Sequence, residues 1–150
     1  MENQVLTKLQ NKLFEMSNNV NKCLGSGHTE RIYHKALICE LNCNNFIIDC
    51  ERHVPVKYID SKGFIHFLES ERIDIFIHNN ENYNEGNIIL ELKAIQKPIQ
   101  EQEKIQIKKY FNELKKDNIE ISYGIIINFP QPSSKETRKN IDFEVVKNEV

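Results

Sequence analysis

The sequence predicts an α/β fold in which helices cover a central β-sheet, formed by a single domain over residues 1–150. Helical spacing of apolar residues opens the chain, and runs rich in β-branched and aromatic residues follow, divided by polar turns. A second helical segment then leads into the most hydrophobic run of the chain. No internal repeat, low-complexity tract or linker divides the sequence, and its length allows one sizeable core.

The N-terminal part predicts two helical segments separated by glycines. Residues 2–23 carry apolar side chains at a helical period, namely at Val5, Leu6, Leu9, Leu13, Phe14 and Val20. The stretch LGSGHTE at 24–30 interrupts this period, and its Thr29 can cap a following helix. Residues 30–41 then form either a second helix or a continuation of the first.

Strands follow in the middle of the chain. Four strand-like runs are expected, at 46–49, 53–59, 64–69 and 72–78. The DSKG sequence at 60–63 is a good hairpin turn. A polar loop at 79–87 leads into a further strand, which Pro98 terminates.

The C-terminal part predicts a helix and two strands. Residues 100–117 are helical, with Ile107, Phe111 and Leu114 facing inward. ISYGIIINF at 121–129 is the most hydrophobic strand. The PQPSSKE loop comes next, and IDFEVV adds a final short strand.

Composition limits the partners and the compartment. The net charge is −2, so the chain has no overall positive charge that would attract nucleic acid, and any such binding has to use a local basic patch. The sequence shows neither a signal peptide nor an apolar run of the roughly 20 residues that a membrane span needs. We therefore expect no membrane association and an intracellular location, cytoplasmic or nuclear, with reduced thiols.

Three cysteines and a histidine raise the possibility of zinc. Cys39, Cys43, Cys50 and His53 give a C-x3-C pair followed by C-x2-H, a poor spacing for a structural zinc site. Buried free thiols are the favoured interpretation. A zinc-stabilised interaction domain stays open as the weakest of the functional alternatives.

The sequence NIILELKAIQK at 87–97 contains charged residues inside a buried run. Strand alternation places Glu91 and Lys93 on one face with Ile89, while Leu90 and Leu92 point to the other. Charges in such a run are costly unless they are paired or bound to a cation. One interpretation is that Glu91 and Lys93 simply neutralise each other at a sheet edge.

A second carboxylate changes the balance between these interpretations. If the preceding strand forms a hairpin centred on Asn82 and Tyr83, Asp74 falls directly opposite Glu91. That strand would carry Ile73, Ile75 and Ile77 on one face and Arg72, Asp74 and Phe76 on the other. Two facing carboxylates suit a divalent cation such as Mg²⁺, and Lys93 could position a water nucleophile.

Six motifs in order carry a resemblance to a known family. LGSGHTERIYHKALICEL at 24–41 contains the glycine, glutamate and tyrosine pattern. The others are VPVKY at 54–58, RIDIFI at 72–77, IILELKA at 88–94, QIKKY at 106–110 and GIIINF at 124–129. Together they resemble the GxxExxY protein family of the PD-(D/E)xK nuclease superfamily, over residues 5–146. The resemblance implies a restriction-endonuclease-like core, with a central mixed β-sheet flanked by α-helices.

The same resemblance implies a set of functional residues. Asp74, Glu91 and Lys93 would form the metal-and-water triad, and Glu30 would bring a further carboxylate. The ion, Mg²⁺ or Mn²⁺, would be held by Asp74, Glu91, the carbonyl of Leu92 and Glu30. A Q-x-x-x-Y element lining the site corresponds to two residues one helical turn apart, Gln106 and Tyr110.

The predicted function is metal-dependent hydrolysis of phosphodiester bonds in nucleic acid, with DNA favoured. Candidate contacts to the phosphate backbone are Lys97, Lys104 and Lys108. A chain of this size leaves little room for a recognition domain, so specificity would come from a homodimer, a protein partner or substrate shape. The alternative is a catalytically inactive nuclease fold that serves as a nucleic-acid- or protein-binding module.

Overall fold

Five strands form one mixed sheet that separates two layers of helices. The structure is a computed structural model and describes residues 5–132 and 140–149. Its elements in chain order are α1 (Lys8–Leu24), α2 (Glu30–Cys43), β1 (Ile48–Ile59), β2 (Ile65–Ile77), β3 (Asn87–Lys93), α3 (Glu101–Lys116), β4 (Ile121–Asn128) and β5 (Asp142–Lys147). The strands lie side by side in chain order. Only the β3–β4 pair is parallel, because α3 crosses over between them.

Most predicted elements are confirmed, and four strand runs fuse into two. The runs at 46–49 and 53–59 correspond to β1, and those at 64–69 and 72–78 correspond to β2. The DSKG turn joins β1 and β2 as predicted, with Gly63 at a φ of 85°. The first three residues of the predicted helix at 2–23, and residues 133–136 of the predicted PQPSSKE loop, lie outside the described residues. None of the described helices is long and apolar enough to cross a membrane.

The alternation along β3 divides the core into two layers. Ile88, Leu90 and Leu92 are buried in the layer under α1 and α2, and Ile89 is buried in the layer under α3. This division was predicted from the period of two. Because each buried aliphatic side chain contributes about 1.5–3 kcal/mol, both faces of β3 anchor the sheet.

The alternation along β2 breaks at Asp74. Ile75 and Ile77 pack under α1 and α2, but Ile73 packs in the layer under α3, so the prediction that the three share a face is wrong. The physical reason lies in the neighbouring strand. The ladder between β1 and β2 skips Glu51 and Asp74, and Glu51 has a φ of 52°, which marks a local irregularity. The side chains of β2 therefore change layers at Asp74, between Ile73 and Ile75.

Candidate active site

Asp74 and Glu91 occupy facing positions on neighbouring antiparallel strands. The ladder pairs Ile75 with Leu90 and continues in the register centred on Asn82 and Tyr83, which confirms the predicted register. Beyond this pair, backbone ladder bonds give way to side chains. The Asp74 amide donates to the Glu91 Oε1 at 3.1 Å, and the Leu92 amide donates to the Asp74 Oδ2 at 2.8 Å.

Burial makes the Glu91 carboxylate the most perturbed acid of the site. Its side chain is only 9% exposed. Burial raises the pKa of Glu91 well above its usual range, and repulsion from Asp74 raises it further, against the lowering effects of the Asp74 amide and of Lys93. A buried acid with this environment either holds a proton or needs a cation. Neutralisation of Glu91 by Lys93 alone would leave the negative charge of the neighbouring Asp74 carboxylate unbalanced.

Helix α2 brings a third carboxylate to the pair. Partial burial raises the pKa of Glu30, and the nearby Asp74 adds to this shift. One turn further along α2, the His34 Nε2 lies 3.1 Å from the Asp74 carbonyl oxygen, so His34 is a donor to that carbonyl. His34 was not among the predicted site residues. Its distance of four residues from Glu30 was the available signal.

The glycine, glutamate and tyrosine pattern of α2 has a structural explanation. Gly27 has a φ of 98°, which favours glycine in the turn before the helix. Tyr33 is fully buried, stacks on Phe129 at 4.5 Å between ring centroids, and donates from its hydroxyl to the Gly25 carbonyl at 2.6 Å. The tyrosine thus fixes the turn from which Glu30 projects.

Helix α3 is tied to the strand that carries Asp74. The Gln106 Nε2 donates to the Glu71 Oε2 at 2.6 Å and to the Tyr110 hydroxyl at 3.0 Å, and that hydroxyl donates to the Arg72 carbonyl at 3.1 Å. Burial, the largest influence, raises the pKa of Tyr110 to about 12. The predicted Q-x-x-x-Y pair therefore lines the cleft, but its hydrogen bonds reach Glu71 and Arg72 and not the Asp74 or Glu91 carboxylate.

Two clefts meet at Glu30 and Asp74. The first has a volume of about 500 Å³ and lies between β2, β3 and α3; its lining is Glu30, Arg72, Asp74, Glu91, Lys93, Gln102, Glu103, Gln106 and Tyr110. The second, beside α2, has a volume of about 530 Å³ and includes Arg31, His34, Lys35 and Glu51. The first cleft brings together the whole predicted triad. Sequence reasoning missed Arg72, although its position two residues before Asp74 could have revealed it.

The three lysines predicted to contact phosphate do not join this cleft. Lys104 and Lys108 line a separate depression between α3 and β5, and the Lys104 Nζ pairs with Glu144 at 2.6 Å. The cause is helical geometry, because positions 104 and 108 point away from the side of α3 that carries Gln106. Lys97 lies in the loop between β3 and α3, where Asn128 donates to its carbonyl at 2.9 Å.

The donor set for a metal is small. Within residues 5–132 and 140–149, no three His, Cys, Asp or Glu side chains are arranged to hold an ion on their own. Mg²⁺ commonly binds through one or two carboxylates and keeps several waters, so Asp74 and Glu91 can be sufficient protein ligands.

The interpretation of the cysteines as buried thiols is wrong. Cys23, Cys39, Cys43 and Cys50 are free and exposed. Cys39 and Cys43 are exposed because they lie on the side of α2 opposite its buried residues Tyr33, Leu37 and Leu41.

Comparison with known proteins decides the family. A family model described as the PD-(D/E)XK nuclease superfamily matches residues 7–141, which is nearly the whole chain. The chain belongs to the PD-(D/E)XK nuclease superfamily. Members generally use divalent metals and act on nucleic acid, as the resemblance implied. The comparison with curated proteins gave no match.

A solved structure supports the fold of this superfamily member. The crystal structure of SSO0001 superimposes with a TM-score of 0.55 at 19% sequence identity. The match covers 80% of this chain and 51% of SSO0001, so the chain spans about half the length of that protein. At this identity the likeness concerns the fold, and the PD-(D/E)XK site has to be argued from the residues of this chain.

Proposed function

We propose that the chain is a divalent-metal-dependent nuclease that hydrolyses phosphodiester bonds in DNA. One observation carries the proposal: a buried glutamate, Glu91, is held in contact with a second carboxylate, Asp74, by backbone hydrogen bonds. A pair of acids in this position is unfavourable without a cation or a proton. Superfamily membership supports a nuclease, and the pair supports retained activity.

The residues present fit a Mg²⁺ or Mn²⁺ ion. Asp74 and Glu91 would supply carboxylate oxygens, and Glu30 would supply a third at the rim of the cleft. The Leu92 carbonyl is a fourth candidate, because the Leu92 amide points toward Asp74 and the two groups of one strand residue point the same way. When bound, such an ion supplies a Lewis acid that activates water and stabilises charge on the phosphate.

Lys93 and Arg72 are the cations of the first cleft. Lys93 follows Glu91 by two residues and lines the same cleft, so its ammonium group can orient the attacking water and neutralise charge that develops on the phosphate. In the hydrolysis, the water oxygen forms a new bond to phosphorus, the ester bond to the departing oxygen breaks, and that oxygen takes a proton. Lys97, Lys104 and Lys108 lie outside this cleft, so they would contact only phosphates away from the bond that is cleaved.

The narrower family is also part of the proposal. We assign the chain to the GxxExxY group because Gly27, Glu30 and Tyr33 each have a role in shaping the site. Gly27 allows the turn, Tyr33 fixes it, and Glu30 lines the same cleft as Asp74 and is influenced by its charge. The three positions thus support one function, which is to place a carboxylate beside the strand pair.

The test is cleavage of labelled single- and double-stranded DNA and RNA with Mg²⁺ or Mn²⁺. We expect wild-type protein to cleave DNA and Lys93→Ala to lose at least about a hundredfold in rate, a loss typical of a positioned catalytic group. Lys22→Ala, at an exposed lysine of α1 outside the cleft, is the matched control and should cleave normally. Equal cleavage by wild type and Lys93→Ala would contradict the assigned site.

A catalytically inactive binding module is the second candidate. The raised pKa of Glu91 favours it, because a protonated Glu91 can lie beside Asp74 without a cation. Calorimetric titration with Mg²⁺ and Mn²⁺ and fluorescence anisotropy with labelled DNA separate the two functions. A module would bind DNA equally well with and without metal and would bind no ion at Asp74. The nuclease would bind an ion, and Asp74→Asn would abolish that binding.

A further inference from the structure

The hairpin formed by β1 and β2 extends beyond the rest of the sheet. We call residues 57–69 the hairpin arm. Strand β3 pairs with β2 only at Ile75–Ile77, so the part of β2 nearer the turn has no third strand beside it. Strand β1 is the edge of the sheet along its whole length. Both outer edges of the arm therefore present backbone N–H and C=O groups that no other described strand pairs.

Most of the large hydrophobic side chains that are exposed among the described residues lie in the arm. Ten large hydrophobic side chains are exposed among the described residues, and six of them lie within the eleven positions from 58 to 68. They are Tyr58, Ile59, Phe64, Ile65, Phe67 and Leu68, with exposed fractions between 48% and 70%. A concentration of this kind marks an interaction surface, because singly scattered hydrophobics are the usual pattern.

The tip of the arm is built by specific hydrogen bonds and is not a frayed end. The Asp60 carboxylate accepts from the Lys62 amide at 2.9 Å, from the Phe64 amide at 3.0 Å and from the His66 ring at 2.7 Å. The Asp60 amide donates to the Phe64 carbonyl at 2.9 Å, which closes the turn. At the base of the arm, the Lys57 Nζ pairs with Asp117, the residue that ends α3, at 2.6 Å. The apolar side chains are thus displayed on a preformed surface, which lowers the ordering cost of binding.

Charge argues against nucleic acid as the occupant of the arm. Two lysines, Lys57 and Lys62, are balanced by two acids, Asp60 and Glu69, so the arm has a formal charge of zero with His66 neutral. Lys57 is also engaged in an ion pair with Asp117, and Asp60 is engaged in hydrogen bonds within the turn. A surface that binds the phosphate backbone needs an excess of cations, and this one has none.

We propose that the arm is the dimer interface and that its partner is the arm of a second copy of this chain. The six side chains together expose roughly 700 Å², at up to about 150–250 Å² for a large side chain and exposed fractions of 48% to 70%. Strand alternation divides this area between the two faces of the arm, and pairing of two arms along their free edges engages both faces. A stable interface needs about 800 Å² from each partner. Two arms related by a twofold axis present the same neutral apolar surface and the same free strand edges to each other. The proposal is independent of the nuclease activity.

The test is the molar mass in solution, measured by light scattering behind gel filtration at loads from about 1 to 100 µM. We expect wild-type protein at twice the chain mass of 17.7 kDa, and the double variant Phe67→Glu/Leu68→Glu at half the wild-type value. The matched control is Ile47→Glu, because Ile47 is 70% exposed but lies outside the arm, and it should remain a dimer. Circular dichroism checks that each variant is folded.

Three outcomes would overturn the proposal. These are a wild-type mass of 17.7 kDa throughout the concentration range, a folded double variant that stays dimeric, and an Ile47→Glu chain that dissociates instead. Should the double variant fail to fold, hydrogen exchange of the unmodified chain gives the answer. Amides at 57–69 should be protected at 100 µM and lose protection on dilution, and unchanged exchange would equally contradict an arm-to-arm dimer.

Discussion

The backbone amide of Asp74 donates a hydrogen bond to the side-chain carboxylate of Glu91 at 3.1 Å. In a regular antiparallel ladder this amide would bond a backbone carbonyl. Here the sheet instead uses its own hydrogen-bonding capacity to hold two acids together. The arrangement costs stability in the absence of a cation, and the stability of a variant at Glu91 measures that cost.

Glu91→Gln should stabilise the metal-free protein. The amide oxygen introduced at position 91 can still accept from the Asp74 amide, while the repulsion between the carboxylates and the burial of a charge are removed. At pH 8 with EDTA, the thermal midpoint should rise by at least about 2 °C, the shift that roughly 1 kcal/mol produces in a chain of this length. Glu113→Gln, on the far end of α3, is the comparison. A lower midpoint for Glu91→Gln would show that Glu91 is structurally required.

The stabilisation should depend on pH in a definite direction. Because the pKa of Glu91 is raised in the folded state, the folded protein binds more protons than the unfolded chain, and stability falls as pH rises from about 4.5 through the folded pKa. The midpoint difference between Glu91→Gln and wild type should therefore grow between pH 5 and pH 8. Saturating Mg²⁺ should oppose this trend in wild type only, since the ion binds the deprotonated acid. A difference independent of pH would contradict the raised pKa.

The facing acids were predicted by assuming a hairpin centred on Asn82 and Tyr83, which places Asp74 opposite Glu91. The ladder over Ile75–Ile77 has that register, and a shift of one residue would have placed Asp74 opposite a different residue of β3. The face of Ile73 could not be predicted in this way. It depends on the irregularity at Glu51 of β1, whose positive φ has no periodic signature in the sequence.

Residues brought in by helices were harder to predict than those on strands. His34 reaches the Asp74 carbonyl only because α2 packs at a particular height on the sheet, and helical spacing fixes the face of a helix but not its height. Lys104 and Lys108 show the same limit of sequence reasoning, because they were predicted to lie at the site and lie outside its cleft. Their charge suggested phosphate binding, but the face of α3 that meets β5 carries them away from the cleft.

Tyr110→Phe should test whether the tyrosine positions β2 or takes part in chemistry. Its hydroxyl bonds the Arg72 carbonyl, and with a pKa of about 12 it stays protonated at neutral pH. Loss of the hydroxyl should cost about 1–2 kcal/mol of stability and reduce cleavage by less than tenfold, with an unchanged pH profile. Tyr83→Phe is the matched control and should change neither, because the Tyr83 ring stacks on Phe46 away from the cleft. A loss of a thousandfold or more in Tyr110→Phe would instead indicate a direct catalytic role.

Asn128→Asp should destabilise the protein and loosen the loop that follows β3. The Asn128 side chain is 2% exposed, donates to the carbonyls of Ile95 and Lys97 at 3.2 and 2.9 Å, and accepts from the Ile95 amide at 3.0 Å. An aspartate of the same shape would face these carbonyls with negative charge and without donors. We expect a loss of roughly 2–4 kcal/mol in the free energy of unfolding, as for other buried polar groups left unpaired.

The matched control is Asn148→Asp, because Asn148 donates to one carbonyl, that of Ile121, in a partly exposed position. This change should cost less than about 1 kcal/mol. Urea denaturation measures both free energies, and hydrogen exchange at residues 95–97 reports the loop directly. The Phe129 amide, next to Asn128, donates to the Lys93 carbonyl at 2.9 Å. Faster exchange at 95–97 in Asn128→Asp, together with weaker DNA cleavage, would therefore show that the Asn128 hydrogen bonds help to position Lys93 at the end of β3. Equal stability losses in the two variants would show that Asn128 holds no special place in the fold.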